Sequence, residues 1–223
     1  MIKLVKVATK DAGQVKAHEF LKKLIDPKTL LLLSGGTTPD YQKIIVKPGD
    51  IIPGALAIVD ERYGSPFHEN SNELLLKKAG IKNWADEYCI ETHKLLKGKK
   101  PTQTAADYER EITDLFKRFK KRVGVMGIGG NIHTAGIFPY SEAGKSADLV
   151  VSEVIEDKYP QRVTLTLKAL GKCSAFVIMM FGKDKKEALE LLLDKDQNDM
   201  QKYPAIFYRK SKIPAYLITD IKL

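Results

Sequence analysis

The chain is predicted to be an α/β protein: a three-layer sandwich with helices on both faces of a mainly parallel sheet. Three observations lead there. Strand-like and helix-like segments alternate from end to end. Several strand-like segments are continuously apolar, the pattern of strands buried on both faces. No repeat, low-complexity stretch or linker interrupts the 223 residues, so one domain over residues 1–223 is expected.

Ile2–Ala8 is a short apolar stretch broken by Lys3 and Lys6, which reads as a strand and not as a signal peptide. In Ala12–Ile25, Val15, His18, Leu21, Leu24 and Ile25 fall on one helical stripe. Leu30–Ser34 and Ala55–Asp60 read as strands, and Ser71 or Asn72 caps a helix over Glu73–Ala79. Lys97–Pro101 is a loop. In Thr102–Lys121, Ala105, Tyr108, Ile112, Leu115, Phe116 and Phe119 recur at three- and four-residue intervals, giving a helix with one packed face. Val123–Gly127, Leu149–Ile155, Val163–Leu167, Ala175–Phe181 and Ala215–Ile218 read as further strands, with a helix over Lys185–Leu193.

Composition removes several classes. At 43% hydrophobic and 29% charged residues the chain is not a disordered one. Its length supports a core without disulfides or metals. No apolar run approaches the ~20 residues that span a bilayer, so no membrane partner is expected. Cys89 and Cys173 lie far apart and the four histidines are scattered. They form no ligand-spaced motif, and no metal site is expected. Two isolated cysteines fit a reducing cytoplasm, the expected location.

The formal charge of +9 permits nucleic acid or a phosphorylated small molecule as partner. The basic run Lys117–Arg122 ends the long helix, where cations complement the helix dipole while Phe119 turns to the core. No aromatic RNA-binding strand or helix-turn-helix accompanies it, so no nucleic-acid partner is expected.

Three segments can carry chemistry. In Leu31–Pro39 a buried strand runs into Ser34-Gly35-Gly36-Thr37-Thr38, with Pro39 at the first turn of a helix. Glycines let backbone N–H groups approach an anion and the hydroxyls add donors, so the segment is a cradle for phosphate or carboxylate. The plainer alternative is a glycine-rich turn with Thr38 as N-cap. Asp60-Glu61-Arg62 follows another strand, where acids and a guanidinium serve acid–base or anion chemistry, or form a surface ion pair. Val125–Gly136 runs from a strand through Gly127, Gly129 and Gly130 to His133, whose ordinary pKa of about 6.5 suits a general base.

Two near-matches are set aside. Ile132 stands where a dinucleotide fingerprint needs its third glycine, and Pro139 where a P-loop before Gly144-Lys145-Ser146 needs its first. Arg162, at the start of a strand, and Lys185, at the start of a helix, are cations that gain meaning if both converge on the Ser34–Thr38 cradle.

In this order the segments resemble the 6-phosphogluconolactonase family, within the wider glucosamine-6-phosphate isomerase/deaminase superfamily. The resemblance rests on Ser34-Gly35-Gly36-Thr37-Thr38-Pro39, on Asp60-Glu61-Arg62 with Ser71-Asn72, and on His133-Thr134-Ala135 with Phe138-Pro139. Arg162–Thr166 and Gly182 with Lys185 complete it. Deaminases of the superfamily carry Asn-Glu-Pro after the histidine, whereas Ile137-Phe138-Pro139 stands here, as in lactonases.

The resemblance implies a Rossmann-like sheet and hydrolysis of 6-phospho-D-glucono-1,5-lactone to 6-phosphogluconate, a step of the oxidative pentose phosphate pathway. It implies no cofactor, and a monomer or small homo-oligomer. The substrate phosphate is expected on Ser34, Gly35, Gly36, Thr37 and Thr38, with Arg162 and Lys185. His133 is expected to be the base, assisted by Asn131 and Asp60, while Arg62 and the Gly129–Gly130 amides face the oxyanion. The chain departs from the family pattern at Asn131, where an acid is usual, and at Ile132, where glycine is usual. These departures keep two alternatives in play: a sugar-phosphate-binding protein with weak or lost catalysis, and a glucosamine-6-phosphate deaminase or isomerase.

Overall fold

The computed structural model describes residues 2–223. Its strands are β1 (Ile2–Lys6), β2 (Thr29–Leu33), β3 (Ala55–Ile58), β4 (Asp60–Arg62), β5 (Glu91–His93), β6 (Lys121–Gly127), β7 (Val150–Val154), β8 (Gln161–Leu165), β9 (Ala175–Met179) and β10 (Ala215–Thr219). The helices are α1 (Lys10–Leu24), α2 (Asn72–Lys78), α3 (Ile81–Glu87), α4 (Pro101–Arg118), α5 (Leu167–Leu170), α6 (Lys186–Leu193) and α7 (Ile206–Lys210).

Seven strands form one sheet in the order β1-β10-β9-β6-β2-β3-β5, every pair parallel. All residues of β2, β3 and β9 are buried. Alternate residues of β2 serve opposite cores: Leu30 and Leu32 pack on the α4 and α6 side, Leu31 and Leu33 on the α1 side. A sheet buried on both faces is what a continuous leucine run requires.

From β2 the chain steps to β3 on one side, while β6 steps to β9 and β10 on the other. The order therefore reverses between β2 and β6, and the loops leaving their C-terminal ends diverge. Ligand crevices of open α/β sheets lie at such a reversal. Here it separates Ser34 from Ile128, and the Ser34 N–H still bonds the Val125 carbonyl at 3.1 Å across the gap.

The remaining strands depart from the single-sheet expectation. β7 and β8, with β4, make a separate antiparallel sheet in the order β4-β8-β7. Residues 155–160 join β7 to β8, too short a connection for the crossover that parallel pairing needs. β8 stops at Leu165 rather than Leu167 because Thr166 caps α5, its side chain accepting the Ala169 N–H at 3.2 Å.

Helix ends follow their caps. Thr9 caps α1 through the Ala12 N–H at 3.1 Å, and Ser71 caps α2 through the Leu74 N–H at 3.0 Å. The buried face of α1 is Gly13, Gln14, Ala17 and Leu21. Val15, placed on the packed stripe from sequence, is instead 61% exposed. A Cβ on Gly13 would stand 2.4 Å from Phe181, so the helix docks on β9's exit through its glycine.

Pro39 does not open a helix. The next helical segment is a five-residue π-turn at Gln42–Val46 with no side-chain cap, and Thr38 is not an N-cap. The cause is Gln14 of α1. Its Nε2 donates to the Thr38 carbonyl at 2.9 Å and its Oε1 accepts the Asp40 N–H at 3.1 Å. One buried amide thus holds both sides of Pro39 and delays the helix.

Candidate active site

The loops after β2 and β6, strand β4, the β7–β8 hairpin and Lys185 enclose a cavity of about 420 Å³, within the range of small-molecule sites. A smaller apolar cleft of about 70 Å³, lined by Leu56, Leu76 and Ile81, is too small for a sugar phosphate. Among the described residues no cluster of His, Cys, Asp and Glu could hold a metal ion, and no helix is long and apolar enough to cross a membrane.

Ser34, Gly35, Gly36, Thr37 and Thr38 all line the cavity. Tyr41 OH donates to the Ser34 carbonyl at 2.6 Å, and Lys10 Nζ to the Thr37 carbonyl at 3.1 Å. The two glycines have different reasons. Gly36 has φ +86° with open space beside it, whereas a Cβ on Gly35 would stand 1.8 Å from Asn72 Oδ1. Ser34 Oγ is buried without a hydrogen-bond partner.

β4 supplies Asp60 and Arg62. Asp60 is buried, and burial raises its pKa while Arg162 and Arg62 pull it down. Asn72 Nδ2 donates to the Asp60 carbonyl at 2.7 Å and faces Oδ2 at 3.4 Å. No hydrogen bond joins Asp60 to His133; its cationic neighbour is Arg162 Nη1 at 3.9 Å. Arg62 stands directly opposite Arg162 in the β4–β8 register. Like charges facing each other across strands repel. Two guanidinium groups in one cavity therefore mark it as a place for anions.

Each arginine is braced by backbone. Arg62 Nη1 donates to the Asn70 carbonyl at 2.9 Å, its Nε is buried without a partner, and its guanidinium lies 5.4 Å from the Tyr159 ring. Arg162 Nε donates to the Tyr159 carbonyl at 2.9 Å, and Nη2 to Asp157 Oδ2 at 2.5 Å.

Glu61, between these residues, is fully buried and points away from the cavity. Its carboxylate accepts the N–H groups of Arg62 and Asn72, each at 2.7 Å, and of Glu73 at 2.8 Å. Burial pushes its pKa up to about 8 against those three donors. By tying β4 to the start of α2, it places Arg62 and Asn72 on the same wall.

His133 reaches the cavity from a tight turn in which Gly129 N–H donates to the His133 carbonyl and Ile132 N–H to the Gly129 carbonyl, each at 3.0 Å. A Cβ on Gly129 would stand 2.1 Å from the imidazole, so this glycine makes room for the ring. The ring stacks on Phe138 at 4.3 Å and 9°. Nδ1 bonds Asn131 Oδ1 at 2.5 Å. No described residue bonds Nε2. Burial, helped by Arg162, Lys185 and Arg62, lowers the pKa to about 4, so the imidazole is neutral near pH 7. Ile132, at the family's glycine position, has φ +63°.

Of the sequence-derived candidates, Asn131 and Gly130 do not line the cavity. Both are exposed, and Asn131 meets the site through its hydrogen bonds to His133. Lys185 lines it from the turn before α6, with Nζ 2.9 Å from the Ile128 carbonyl and its pKa lowered by burial. The structure adds Asn72, Phe138, Asp157 and Tyr159 to the lining. Asn72 belongs to the Ser71-Asn72 pair that the sequence offers as a helix cap, and Ser71 takes that role. Asp157 and Tyr159 gave no signal beyond a turn-like Asp-Lys-Tyr-Pro, because it is the hairpin that folds them onto Arg162.

The family described as glucosamine-6-phosphate isomerases/6-phosphogluconolactonase matches residues 9–216. A 6-phosphogluconolactonase of Nostoc sp. is 30% identical over 190 residues, covering 79% of this chain and 76% of the relative. One from Thermotoga maritima is 29% identical, covering 80% and 82%. The crystal structure of a Thermotoga maritima 6-phosphogluconolactonase superposes with TM-score 0.79 at 26% identity, covering 100% of this chain and 99% of that one. A monomeric glucosamine-6-phosphate deaminase shares the fold, with TM-score 0.77 at 18% identity, covering 97% of each chain.

Proposed function

The chain belongs to the glucosamine-6-phosphate isomerase/6-phosphogluconolactonase family, and from that premise we propose how its cavity works as a 6-phosphogluconolactonase site. The reaction is hydrolysis of 6-phospho-D-glucono-1,5-lactone to 6-phosphogluconate, in the oxidative pentose phosphate pathway. The observation that carries the reading is a neutral His133 with a free Nε2 in a cavity that two arginines and two lysines make electropositive.

The phosphate sits against the Ser34–Thr38 loop, with Lys185 and Arg162 as cationic partners. Charge-assisted contacts suit a dianion. Holding the non-reacting end of the substrate places the lactone carbonyl near His133. His133 Nε2 takes a proton from water as the water oxygen bonds C1. Arg62, with its free Nε, and the Gly129 region stabilise the tetrahedral oxyanion. The C1–O5 bond then breaks, and Nε2–H returns the proton to O5, leaving a carboxyl group at C1 and a hydroxyl at C5.

Asn131 fixes which nitrogen carries the proton but brings no negative charge. The imidazolium is therefore short-lived among three cations, which favours prompt return of the proton to the leaving oxygen. Asp60 offsets the repulsion between the two arginines, and no hydrogen bond joins it to the base.

Hydrolysis of freshly made 6-phosphogluconolactone, measured against the spontaneous rate and against His133→Ala, tests the reading. Proton transfer by a positioned base contributes ~10²–10⁴-fold, so the variant should lose at least about 100-fold in kcat. Wild-type turnover in the variant removes His133 as the base.

A further inference from the structure

Arg162 already has an anion. Its Nη2 donates to Asp157 Oδ2 at 2.5 Å, while Nε is taken by the Tyr159 carbonyl. Asp157 lies at the tip of the β7–β8 hairpin and lines the same cavity as Thr38 and Lys185. The two partners are unequally held. The Arg162 side chain is 6% exposed and that of Asp157 is 32% exposed. The other carboxylate in the lining, Asp60, is fixed by Asn72 and stands 3.9 Å from Arg162 Nη1.

We propose that Asp157 is an internal competitor that sets the site's affinity for phosphate: its carboxylate occupies Arg162 in the place of the substrate's phosphate, and a dianionic phosphate displaces it. The proposal rests on the assignment of Arg162 to the phosphate under Proposed function.

A carboxylate and a phosphate offer a guanidinium fork the same kind of oxygen acceptor, so they compete for Nη2. Release of Asp157 does not undo the hairpin. Its tip stays closed by Ile155 N–H to the Pro160 carbonyl at 2.9 Å. It is also tied by Tyr159 OH to Asn70 Oδ1 at 3.0 Å and by Arg162 Nε to Tyr159. One partly exposed side chain turns into water, giving up besides Arg162 a long contact of 3.5 Å with the Tyr159 N–H.

Charge decides the exchange. The carboxylate brings one negative charge and a phosphate monoester close to two near neutral pH. A dianion gains enough from Arg162 to displace Asp157, whereas a neutral lactone has nothing to exchange for it. The internal carboxylate thus weakens every phosphorylated ligand that binds by the same factor, product as well as substrate.

The test compares Asp157→Asn and Asp157→Ala with wild type and with Arg162→Ala, at about pH 7.5, where phosphate is mostly dianionic. Asp157 lies on an exposed hairpin tip, so both of its variants should fold. Without the competitor, KM for 6-phosphogluconolactone and the inhibition constant of inorganic phosphate should each fall about two- to fivefold, the scale of a partly exposed ion pair. A KM and inhibition constant that rise, or do not move, overturn the proposal, because Asp157 then orients Arg162 or stands idle. Arg162→Ala separates the two levels. If it leaves KM unchanged, the phosphate assignment fails and this inference with it. If it raises KM while the Asp157 variants do not lower it, only the role of Asp157 fails.

Discussion

Asn131 Oδ1 lies 2.5 Å from His133 Nδ1 and 3.2 Å from the His133 backbone nitrogen. The backbone nitrogen can only donate, so the atom facing it must be the amide oxygen and not the amide NH₂. The same oxygen then requires a proton on Nδ1, which leaves Nε2 as the basic nitrogen. The asparagine therefore does the orienting work of an acid without its charge. A wrong-tautomer penalty of ~10⁴, seen when an amide NH₂ faces a catalytic imidazole, does not apply here. Asn131→Asp should change kcat by less than about tenfold while moving the acidic limb of the pH profile upward, because a carboxylate stabilises the imidazolium. Asn131→Leu should cost about 10- to 100-fold in kcat with little change in KM, since it frees the tautomer and leaves the phosphate contacts intact. Equal KM losses in both variants would contradict the assignment.

The pH profile itself has a definite sign. The His133 pKa is lowered to about 4 from the ordinary 6.5, mainly by burial and next by Arg162. The base is therefore in its working form throughout pH 5–8. We expect kcat/KM to bend at about pH 6, where the free substrate's phosphate takes up a proton, and the enzyme's own limb to follow at about pH 4, where the imidazole is protonated. Bound phosphate neutralises Arg162 and Lys185, two of the cations that depress the pKa. The acidic limb of kcat, which reports the complex, should thus lie above the enzyme's own limb of kcat/KM. Coincident limbs would place the phosphate away from these cations.

Much of this site could be read from the sequence, for identifiable reasons. The Leu30–Leu33 run and Ala175–Met179 announce fully buried strands, and glycines with hydroxyls or a histidine after a strand announce two of the walls. The rest depends on contacts remote in sequence. Asp60-Glu61-Arg62 has no apolar period that would betray a strand, and β4 exists because β8 pairs with it. Pro39 obeys its local preference until Gln14, on another element, holds the backbone either side of it. Helices α3 and α7, of seven and five residues, are too short to show a period. Asp157 becomes a site residue only when a hairpin folds it against Arg162.

Adjacent glycines in the Ser34–Thr38 loop should fail differently. On Gly35 an added Cβ meets Asn72 Oδ1 at 1.8 Å, with buried Asn72 held at its other end by Asp60. Gly35→Ala should therefore push the loop and Asn72 apart, raising KM about tenfold or more. On Gly36 there is open space but φ is +86°, so Gly36→Ala should cost roughly 1–2 kcal/mol of stability through backbone strain. Lactone KM and thermal unfolding, measured on both variants, check the pair. A Gly35→Ala enzyme with wild-type KM would show that Asn72 yields freely.

Ile132 sets a backbone penalty against a packing gain. Its φ of +63° is a left-handed conformation that a β-branched residue resists. Yet its side chain is 2% exposed, within the core that holds Ile128, Ile137 and Tyr208. Burying such a side chain contributes roughly 1.5–3 kcal/mol, enough to offset a strain of about 1–3 kcal/mol. The turn that presents His133 is thus kept although the glycine usual in the family is gone. At an ordinary core position glycine is a worse replacement for isoleucine than alanine is. Here alanine loses the packing and keeps the strain, whereas glycine loses both. Ile132→Gly should therefore be at least as stable as Ile132→Ala, both below wild type, with His133-dependent turnover better preserved in the glycine variant. Chemical denaturation of the three proteins measures the order. A glycine variant about 1 kcal/mol or more below alanine would mean that the left-handed turn costs this chain little, its isoleucine then acting as an ordinary core residue.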